Sequence, residues 1–584
     1  MTAEQTKIAE ESHVKAPWLN VYGVVPPHLD YPDCTMYEAV EHCAETYPNH
    51  TAYVFMGRKT TYRAMAAEID LCARALKATG VRPGDRITMA MPNCPQAVIM
   101  FYAINLVGAT ANMIHPLSSE KEIEFYLKES GSIFAVTLDQ FYHKFEAIRQ
   151  NVTLDNIILA SIPDALSKPV RVGYMLTEGR KQAKIPKDAP VLRWNEFLRR
   201  GRGYHWTYRA ERRAGDEAVI LYSGGTTGVT KGIQLTNLNF NALGKQIIAT
   251  NPMFRPGDKM LAVMPMFHGF GLGVSIHSML VSGGCCILVP RFTPDSYAKL
   301  LLKYRCNLIA GVPTLYEALL RLPKMKNADL SCLKGVYSGG DSLSVELKKR
   351  FDKFLFDHHA TIQVREGYGL TECVTASCLT PYHISREGSI GIPFPDTYYK
   401  IVEHGTQKEV PYGTEGEICL SGPTVMMGYL HHPEETAQTL QTHEDGLTWV
   451  HTGDLGSMDP DGFVYFRQRL KRMIVTSGYN VYPSQMENIL DAHELVQMSC
   501  VIGVPDPLKM QKVKAFVMLK PGVPANEETK AVLMAYIRKN VAKYALPYDI
   551  EFRAELPKTL VGKVACRVLE EEELKKLSET AQEQ

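Results

Sequence analysis

The stretch "LYSGGTTGVTKGIQLT", Leu221–Thr236, extends an apolar run and contains four glycines, four threonines, one serine and one lysine. Glycine lets backbone N–H groups turn toward a ligand and approach it closely. Successive N–H groups that point the same way form a nest for an anion. The hydroxyls add hydrogen-bond donors, and Lys231 adds a positive charge. This combination predicts a polyphosphate site, with a glycine-rich hairpin that binds no ligand as the alternative.

The spacing of this stretch differs from the Walker A pattern, G-x-x-x-x-G-K-[ST]. Lys231 is preceded by Thr230 and followed by Gly232, and the next residues, "IQLT", are typical of a strand rather than a helix. The stretch therefore predicts phosphate binding outside the Walker A architecture.

Composition restricts the class of protein. The chain has 584 residues, more than one hydrophobic core usually organises, so at least two domains are expected. Its 64 basic and 63 acidic side chains give a net charge of +1, and no long basic run occurs, so no nucleic-acid partner is predicted. With 13 cysteines and no Cys-x-x-Cys, neither a zinc pattern nor a disulfide framework is evident, which favours reduced thiols and a cytoplasmic location.

Membrane insertion is not expected either. The N-terminal residues "MTAEQTKIAEESHVKAPW" lack an apolar signal core. No apolar run reaches the ~18 residues of a spanning helix. The apolar arm "APWLNVYGVVPPHL" is the segment that would allow peripheral contact with the inner membrane face, although packing against the large domain is the favoured interpretation.

Helical and strand patterns alternate along the chain. "CTMYEAVEHCAETYP" predicts a helix capped by Thr35, and "SSEKEIEFYLKESG" predicts one that ends at a glycine. Strand-like pieces such as "RITMAM", "IFAVTL", "CCILV" and "NLIAGV" lie between such helices. This order predicts an α/β fold with mostly parallel sheets.

The pattern changes near Arg467. "FRQRLKRM" concentrates basic residues, and Ser484 with Glu487 fits a capping box at a helix start. A strand pattern, "KAFVMLK", and the helical pattern "EETKAVLMAYIRKNVAKY" follow. We therefore predict a large domain of residues 1–468 and a small α+β domain of residues 469–584.

The segment "YSGGTTGVTKG" closely resembles the phosphate-binding signature of the adenylate-forming superfamily, which comprises acyl-CoA synthetases, nonribosomal peptide adenylation domains and beetle luciferases. Five further segments match that family's signatures in the same order, over nearly the whole chain: "SGGDSLS", "GYGLTE", "HTGDLG", "RQRLKRMIVTSGYNVYPSQME" and "LPKTLVGK".

The resemblance implies a role for each matching residue. The phosphate loop would be Ser223, Gly224, Gly225, Thr226, Thr227 and Gly228, with Lys231. The adenine side would be Gly339, Gly340, Asp341, Gly367, Tyr368 and Gly369. Thr371 would bind phosphate, Glu372 Mg²⁺, and Asp454 and Arg469 the ribose, with Lys471 as the hinge and Lys563 as the catalytic lysine. After rotation of the small domain, Ser477, Gly478 and Tyr479 would line the CoA tunnel.

The resemblance also implies the reaction and its cofactors. A carboxylic acid would react with ATP, with Mg²⁺ as charge screen, to give an acyl-adenylate and pyrophosphate. CoA would then take the acyl group and release AMP. Taken singly, each of these residues also has a structural explanation, such as a turn aspartate or a solvated charge run; their joint order favours the functional one.

The acid is inferred from "MPMFHGFGLGVSIHSMLVSGG", which matches the family's acyl-pocket helix. Amino-acid-activating relatives usually carry an aspartate there, whereas this chain has His268, followed by Phe270, Gly271 and Gly273. The small residues predict room for a long acyl group, although glycines that merely loosen the helix start are the opposing interpretation. Because the N-terminal part resembles bacterial medium- and long-chain fatty acyl-CoA synthetases, a fatty acid is favoured. An aryl-CoA ligase, a fatty acyl-AMP ligase and a non-catalytic nucleotide-binding relative are the alternatives.

Overall fold

The computed structural model describes residues 14–177, 179, 185–186, 188–222, 230–476, 479–559 and 563–582. Within these ranges the strands form four sheets, and helices alternate with the strands of the first two. The predicted α/β class with mostly parallel sheets is confirmed for this part of the chain.

The first sheet is parallel through its centre and antiparallel at both ends. Its spatial order is Ile392–Pro393, Cys378–Leu379, Val364–Tyr368, Gly335–Ser338, Leu308–Gly311, Lys259–Ala262, Cys285–Leu288, Thr51–Phe55, Arg58–Thr61.

The second sheet is parallel except at the edge that carries the strand Gly232–Thr236. Its spatial order is Gly428–Tyr429, Gly232–Thr236, Glu217–Tyr222, Thr110–Met113, Arg86–Ala90, Phe134–Leu138, Asn156–Ala160, Leu192–Arg193.

The third and fourth sheets have five strands each and are largely antiparallel. The third runs Tyr398–Val402, Gly416–Ser421, Thr448–Met458, Leu440–Thr442, with Val464–Arg469 also paired to Thr448–Met458. The fourth runs Tyr479–Val481, Ile474–Thr476, Met510–Leu519, Val496–Asp506, with Asp549–Phe552 parallel to Met510–Leu519. All strands of the fourth sheet thus lie C-terminal to the predicted boundary between Gln468 and Lys471.

Helices cover the sheets and connect their strands. The α-helices are Met36–Thr46, Tyr62–Ala78, Pro95–Leu106, Glu120–Ser130, Tyr142–Ile148, Lys168–Leu176, Trp194–Arg202, Asn237–Ala249, Ser278–Leu280, Pro294–Tyr304, Pro313–Leu320, Val345–Asp357, Pro433–Thr439, Pro483–Asp491, Glu527–Asn540 and Cys566–Gln582. The segment Phe270–His277 is a π-helix that continues into Ser278–Leu280.

The helix Pro95–Leu106 lies at the centre of the largest core. Each of its residues is buried, and it packs in one cluster with Met89 of the second sheet and Met260 of the first. A helix that is apolar all round is stable only where neighbours cover every face. Each of its large buried apolar side chains, such as Phe101, stabilises the fold by about 1.5–3 kcal/mol relative to exposure. The two main sheets are therefore joined through this helix.

Two of the predicted helix ends are confirmed, and both depend on residues that lie close together in the sequence. The Thr35 side chain accepts the N–H of Glu38, whose carboxylate accepts the N–H of Thr35. The helix Glu120–Ser130 ends at Gly131 with φ 62°.

The predicted capping box of Ser484 and Glu487 is wrong. The helix starts at Pro483, and Tyr482 precedes it without a side-chain cap. Proline suits the first helical position because its missing N–H has no partner there in any case. The Ser484 hydroxyl instead donates to Gln468 (2.9 Å), and Glu487 accepts from Arg472 (2.7 Å).

The apolar arm near the N-terminus packs on the protein. Trp18, Tyr22 and Val25 are buried in the hydrophobic cluster that includes residues of the third sheet. The Tyr22 hydroxyl donates to the Pro393 carbonyl (2.9 Å). The favoured interpretation of this arm is confirmed for these residues. None of the helices in the described ranges is long and apolar enough to cross a membrane.

Candidate functional site

Two strands of the second sheet flank the predicted phosphate-binding residues, next to the edge strand Gly428–Tyr429. Glu217–Tyr222 precedes these residues and Gly232–Thr236 follows them, paired antiparallel with Tyr222 opposite Gly232. The prediction that "IQLT" is extended is confirmed. The predicted phosphate-loop residues Ser223, Gly224, Gly225, Thr226, Thr227 and Gly228 lie outside the described residues.

Lys231 directly precedes the strand Gly232–Thr236. Its ammonium group lies 3.2 Å from a carboxylate oxygen of Glu435 and 5.1 Å from the centre of the Tyr429 ring. An aromatic face attracts a cation, so the ring fixes the direction of the lysine.

Glu372 shares the same aromatic neighbour. The Tyr429 hydroxyl donates to Glu372 Oε1 over 2.7 Å. The tyrosine reaches this place because Gly428–Tyr429 pairs with the strand Gly232–Thr236, Tyr429 opposite Ile233. Sequence reasoning missed Tyr429, since nothing local distinguishes "GYL" from an ordinary edge segment. Tyr429 thus contacts Glu372 through its hydroxyl and Lys231 through its ring.

Two residues after Glu372, the backbone is strained. Val374 has φ 67°, a conformation that β-branched residues rarely adopt. Its carbonyl oxygen approaches Gly269 so closely that a Cβ there would lie 1.7 Å away. Only glycine permits this contact, which ties the segment after Glu372 to the start of the predicted acyl-pocket helix.

Asp454 lies at a bulge in the third sheet. The register shifts between the pairs Glu417–Leu455 and Cys419–His451, so residues 452–454 leave the ladder with Gly416–Ser421, whereas Asp454 still pairs with Arg469 on the strand Val464–Arg469. Bulges re-aim side chains and often occur beside active sites. Asp454 accepts from the Tyr368 hydroxyl (2.7 Å) and pairs with Arg469 (3.3 Å).

The charge of Asp454 is almost fully buried, with 2% of its side chain exposed, whereas 47% of the Arg469 side chain is exposed. Burial raises the pKa of the Asp454 carboxyl, and the Arg469 guanidinium and the Tyr368 hydroxyl oppose that shift. The tyrosine, aspartate and arginine predicted to bind the nucleoside are thus in direct contact.

Lys563 comes from the C-terminal segment and enters the same cleft. Its Cε lies 3.3 Å from the place that a Cβ on Gly340 would occupy, and Gly340 has φ 82°. Burial lowers the pKa of Lys563; Asp341 and Asp454 act against this shift, and Arg469 acts with it. The bare backbone of Gly340 therefore gives the ammonium group access to the predicted nucleotide residues.

A cleft of 820 Å³ joins these groups. The predicted site residues on its wall are Lys231, His268, Gly340, Gly369, Thr371, Glu372, Asp454, Arg469, Lys471 and Lys563. Asp341 lines a neighbouring cavity. Burial, with a contribution from Lys563, lowers the pKa of His268 to about 3, so its ring is neutral near pH 7.

A small apolar pocket opens beside this cleft, and both share Gly340 and Thr375 on their walls. Its other lining residues are Ile247, Phe270, Val274, Tyr337, Ser338, Gly339, Gly367, Ala376, Leu379 and Phe394. Phe270, which the sequence predicts to line an acyl pocket, lines this one; that the pocket takes the acyl group stays a prediction.

The expectation that Gly271 and Gly273 leave open space is wrong. A Cβ on Gly271 would lie 2.1 Å from the Pro265 carbonyl oxygen, and one on Gly273 would lie 2.7 Å from Leu243 Cδ2. These glycines permit close packing of the π-helix against its neighbours. Larger residues there would disrupt the fold rather than shorten a tunnel.

The hinge and CoA segments lie beyond Arg469. Lys471 belongs to the 3₁₀ turn Leu470–Arg472 and borders the cleft. Ser477 and Gly478 lie outside the described residues. Tyr479 is 56% exposed and stacks on Tyr544 with ring centres 4.5 Å apart, and it is not among the described residues that line the cleft.

Comparison with known proteins agrees with this architecture. The family model for AMP-binding enzymes matches residues 40–430, and the model for their C-terminal domain matches residues 485–563. The long-chain-fatty-acid–CoA ligase of Bacillus subtilis is 36% identical over 565 residues, which cover 95% of this chain and 98% of the relative. The enzyme of the same name from Salmonella typhimurium (strain LT2) is 33% identical, with 96% and 98% covered.

Solved structures, a CoA ligase among them, have the same fold. The ATP-bound RpMatB-BxBclM chimera B1 superposes with a TM-score of 0.80 at 26% identity, over 92% of this chain and 98% of the other. The anthranilate CoA ligase AuaEII, in complex with anthranoyl-AMP, gives a TM-score of 0.79 at 26% identity, over 93% and 97%. With its nucleotide signatures gathered in one cleft, the chain belongs to the family of AMP-binding enzymes, within the adenylate-forming superfamily that its sequence resembles.

Proposed function

We propose that this protein is an ATP-dependent fatty acid–CoA ligase that works through an acyl-adenylate. The observation that carries the proposal is the position of Lys563 in a cleft that also presents Glu372, Asp454 and Arg469. Cations and carboxylates brought together from distant segments suit the transfer of a nucleotidyl group between two anions. Relatives named as long-chain-fatty-acid–CoA ligases support the reaction class.

The residues of the cleft have different roles in the first half-reaction. Tyr368, Asp454 and Arg469 hold the nucleoside of ATP, and Lys231 with residues 223–228 holds its outer phosphates. Lys563 stabilises the negative charge that builds up as a carboxylate oxygen of the acid attacks the α-phosphate and pyrophosphate leaves.

Mg²⁺ fits the donor set around Glu372. A carboxylate that borders the phosphate side of the cleft is a ligand that this ion prefers, and Tyr429 fixes its direction by a hydrogen bond of 2.7 Å. When bound, the ion would screen the charge of the phosphates.

The second half-reaction requires Lys563 to leave. We propose that residues 469–584 rotate about residues 469–471 and bring the segment with Ser477, Gly478 and Tyr479 to the cleft, where CoA enters. A hinge needs only a few residues to absorb the change in φ and ψ. The position of Lys563 in the cleft and the exposure of Tyr479 fit the state that makes the adenylate.

The acid is proposed to be a medium- or long-chain fatty acid. The pocket beside Gly340 is lined mostly by apolar side chains, and the neutral His268 offers no counter-ion for a substrate ammonium group. We place the protein in the cytoplasm, with peripheral contact at the inner membrane face as a second location suited to a lipid substrate.

A panel of carboxylic acids of graded length, assayed by AMP release with and without CoA, tests this proposal. We expect AMP release to be greatest with fatty acids, thioester to form only with CoA, and hydroxylamine to trap the acyl-adenylate in its absence. Turnover of aryl acids alone would refute the substrate assignment. Fatty acyl-adenylate as the sole product with CoA present would make the protein an acyl-AMP ligase.

The pocket assignment predicts the effect of Ala376→Leu. Ala376 is part-exposed at the pocket, so the added side chain enters the pocket rather than the core. We expect kcat/KM to fall ~10-fold or more for acids long enough to reach it, and little for short acids. The measurement is the chain-length profile of adenylation, with Ala66→Leu on the helix Tyr62–Ala78 as a matched control. An unchanged profile would place the acyl chain elsewhere.

A further inference from the structure

Three side chains with different metal-binding atoms converge on one region of the third sheet. Glu417, Cys419 and His451 each offer one atom, and these atoms all lie within 4.8 Å of one another. His451 Nδ1 is 3.1 Å from Glu417 Oε2 and 3.6 Å from Cys419 Sγ. The three side chains are buried or nearly so, and Glu417 and His451 border the cleft.

The sheet explains this convergence. Cys419 and His451 are direct partners on neighbouring antiparallel strands. Glu417 precedes Cys419 by two residues, so both side chains lie on the same face of their strand. His451 lies 32 residues after Cys419 in the sequence, so no local Cys-x-x-Cys or His-x-x-x-His pattern indicates the cluster.

We propose that Glu417, Cys419 and His451 bind one Zn²⁺ ion. For tetrahedral Zn²⁺ with Zn–S about 2.3 Å and Zn–N about 2.0–2.1 Å, the nitrogen and sulfur atoms are about 3.6 Å apart, and nitrogen and oxygen about 3.4 Å. The observed separations of 3.6 Å and 3.1 Å are close to these values. Thiolate, imidazole and carboxylate together select a borderline metal over Mg²⁺.

In His451 and Glu417, the ring nitrogen and the carboxylate oxygen that would not bind the ion already have partners. His451 Nε2 lies 2.9 Å from Nε2 of His443, and Glu417 Oε1 accepts the Gly453 N–H over 2.9 Å. Outer partners of this kind orient metal ligands and fix the imidazole tautomer. The ring and carboxylate atoms that remain for an ion are His451 Nδ1 and Glu417 Oε2, which lie 3.1 Å apart.

A fourth ligand is available from the cleft. His404 Nδ1 lies 4.0 Å from Glu417 Oε2, and its side chain is 64% exposed. The nearby positive charge of Lys400 is already balanced, since its ammonium group pairs with Asp445 at 2.9 Å and lies over the Trp449 ring. Water or His404 would complete four-coordination.

Hydrogen bonding alone accounts for the cluster less well. A single proton on His451 Nδ1 faces both the Glu417 carboxylate and the Cys419 sulfur. Zn²⁺ binding would serve both acceptors at once: the Cys419 thiol loses its proton to solvent as the Zn–S bond forms, and His451 binds through Nδ1 with its single ring proton on Nε2, which donates to His443 Nε2. Because Gly453 and Asp454 follow His451 in the bulge, the ion would also stiffen the segment that carries Asp454.

A second cluster, Glu487, Cys500 and Cys566, supplies a control. There the Arg472 guanidinium donates to Glu487 Oε1 at 2.7 Å, which places a positive charge against any cation. We therefore expect no metal at this second cluster.

The test uses untagged full-length protein, stripped of metal and without substrates, so it is independent of the proposed ligase activity. Titration with Co²⁺ should give one equivalent per chain and a thiolate-to-cobalt charge-transfer band, which Zn²⁺ abolishes and Mg²⁺ does not. Cys419→Ser and Glu417→Gln should each remove stoichiometric binding, whereas Cys566→Ser should retain it. His443→Gln should weaken binding by about 10–100-fold, the usual effect of losing an outer partner.

Absence of the band in the unaltered protein would overturn the proposal, and this outcome needs no variant to fold. A band that survives in Cys419→Ser, or one that disappears in Cys566→Ser, would do the same, because the metal would then lie elsewhere. Circular dichroism and thermal melting would establish that each variant is folded.

Discussion

Lys563→Ala is expected to lower the rate of acyl-adenylate formation by about 10²–10³-fold, the scale seen when one preorganised transition-state donor is lost. The ammonium group lies in the cleft beside Gly340, within electrostatic reach of Asp341, Asp454 and Arg469. Its charge is needed as negative charge builds up at the α-phosphate. Single-turnover formation of acyl-adenylate from ATP and acid measures the effect. Lys558→Ala, an exposed lysine in the same segment, is the matched control.

The same variant should retain the second half-reaction. Thioester formation from supplied acyl-adenylate and CoA should survive, because Lys563 has then left the cleft. Lys471→Pro should have the opposite effect, since proline fixes φ near −65° and restricts the hinge. Adenylation should be largely intact in Lys471→Pro while the CoA step slows. Equal losses in both half-reactions for both variants would refute the alternating-domain mechanism.

Glu372→Gln is expected to lower adenylation by about 10²-fold or more, because a charge-stabilising group at the phosphates is lost while the side-chain size is kept. Glutamine still accepts the Tyr429 hydrogen bond of 2.7 Å, so the local geometry should persist. Adenylation rates across a Mg²⁺ titration measure the effect, and excess Mg²⁺ should restore only part of the activity.

Two comparisons sharpen this prediction. Tyr429→Phe removes the hydroxyl but not the carboxylate, so its loss should be smaller and the Mg²⁺ dependence closer to that of the unaltered protein. Glu387→Gln, at an exposed ion pair with Lys349, should leave the rate unchanged. If Glu372→Gln were as active as Glu387→Gln, Glu372 would not belong to the metal site.

The sequence by itself determined the features that depend on near neighbours along the chain. The Thr35 cap and the helix end at Gly131 follow from contacts within a few residues. The extended segment after Lys231 pairs with Glu217–Tyr222, the strand that precedes it along the chain. The order of the six signature segments likewise sufficed to indicate the family, because chemistry at a phosphate constrains the residue types around it.

Only the tertiary structure decided which distant side chains meet. Tyr429 joins Glu372 and Lys231 because an edge strand pairs across the second sheet, and Cys419 faces His451 because two strands align in register. Gly271 and Gly273 proved to serve packing rather than an open pocket, since carbonyl and side-chain atoms from elsewhere fill their surroundings. Such contacts depend on the placement of whole strands and helices, which local propensity and periodicity do not encode.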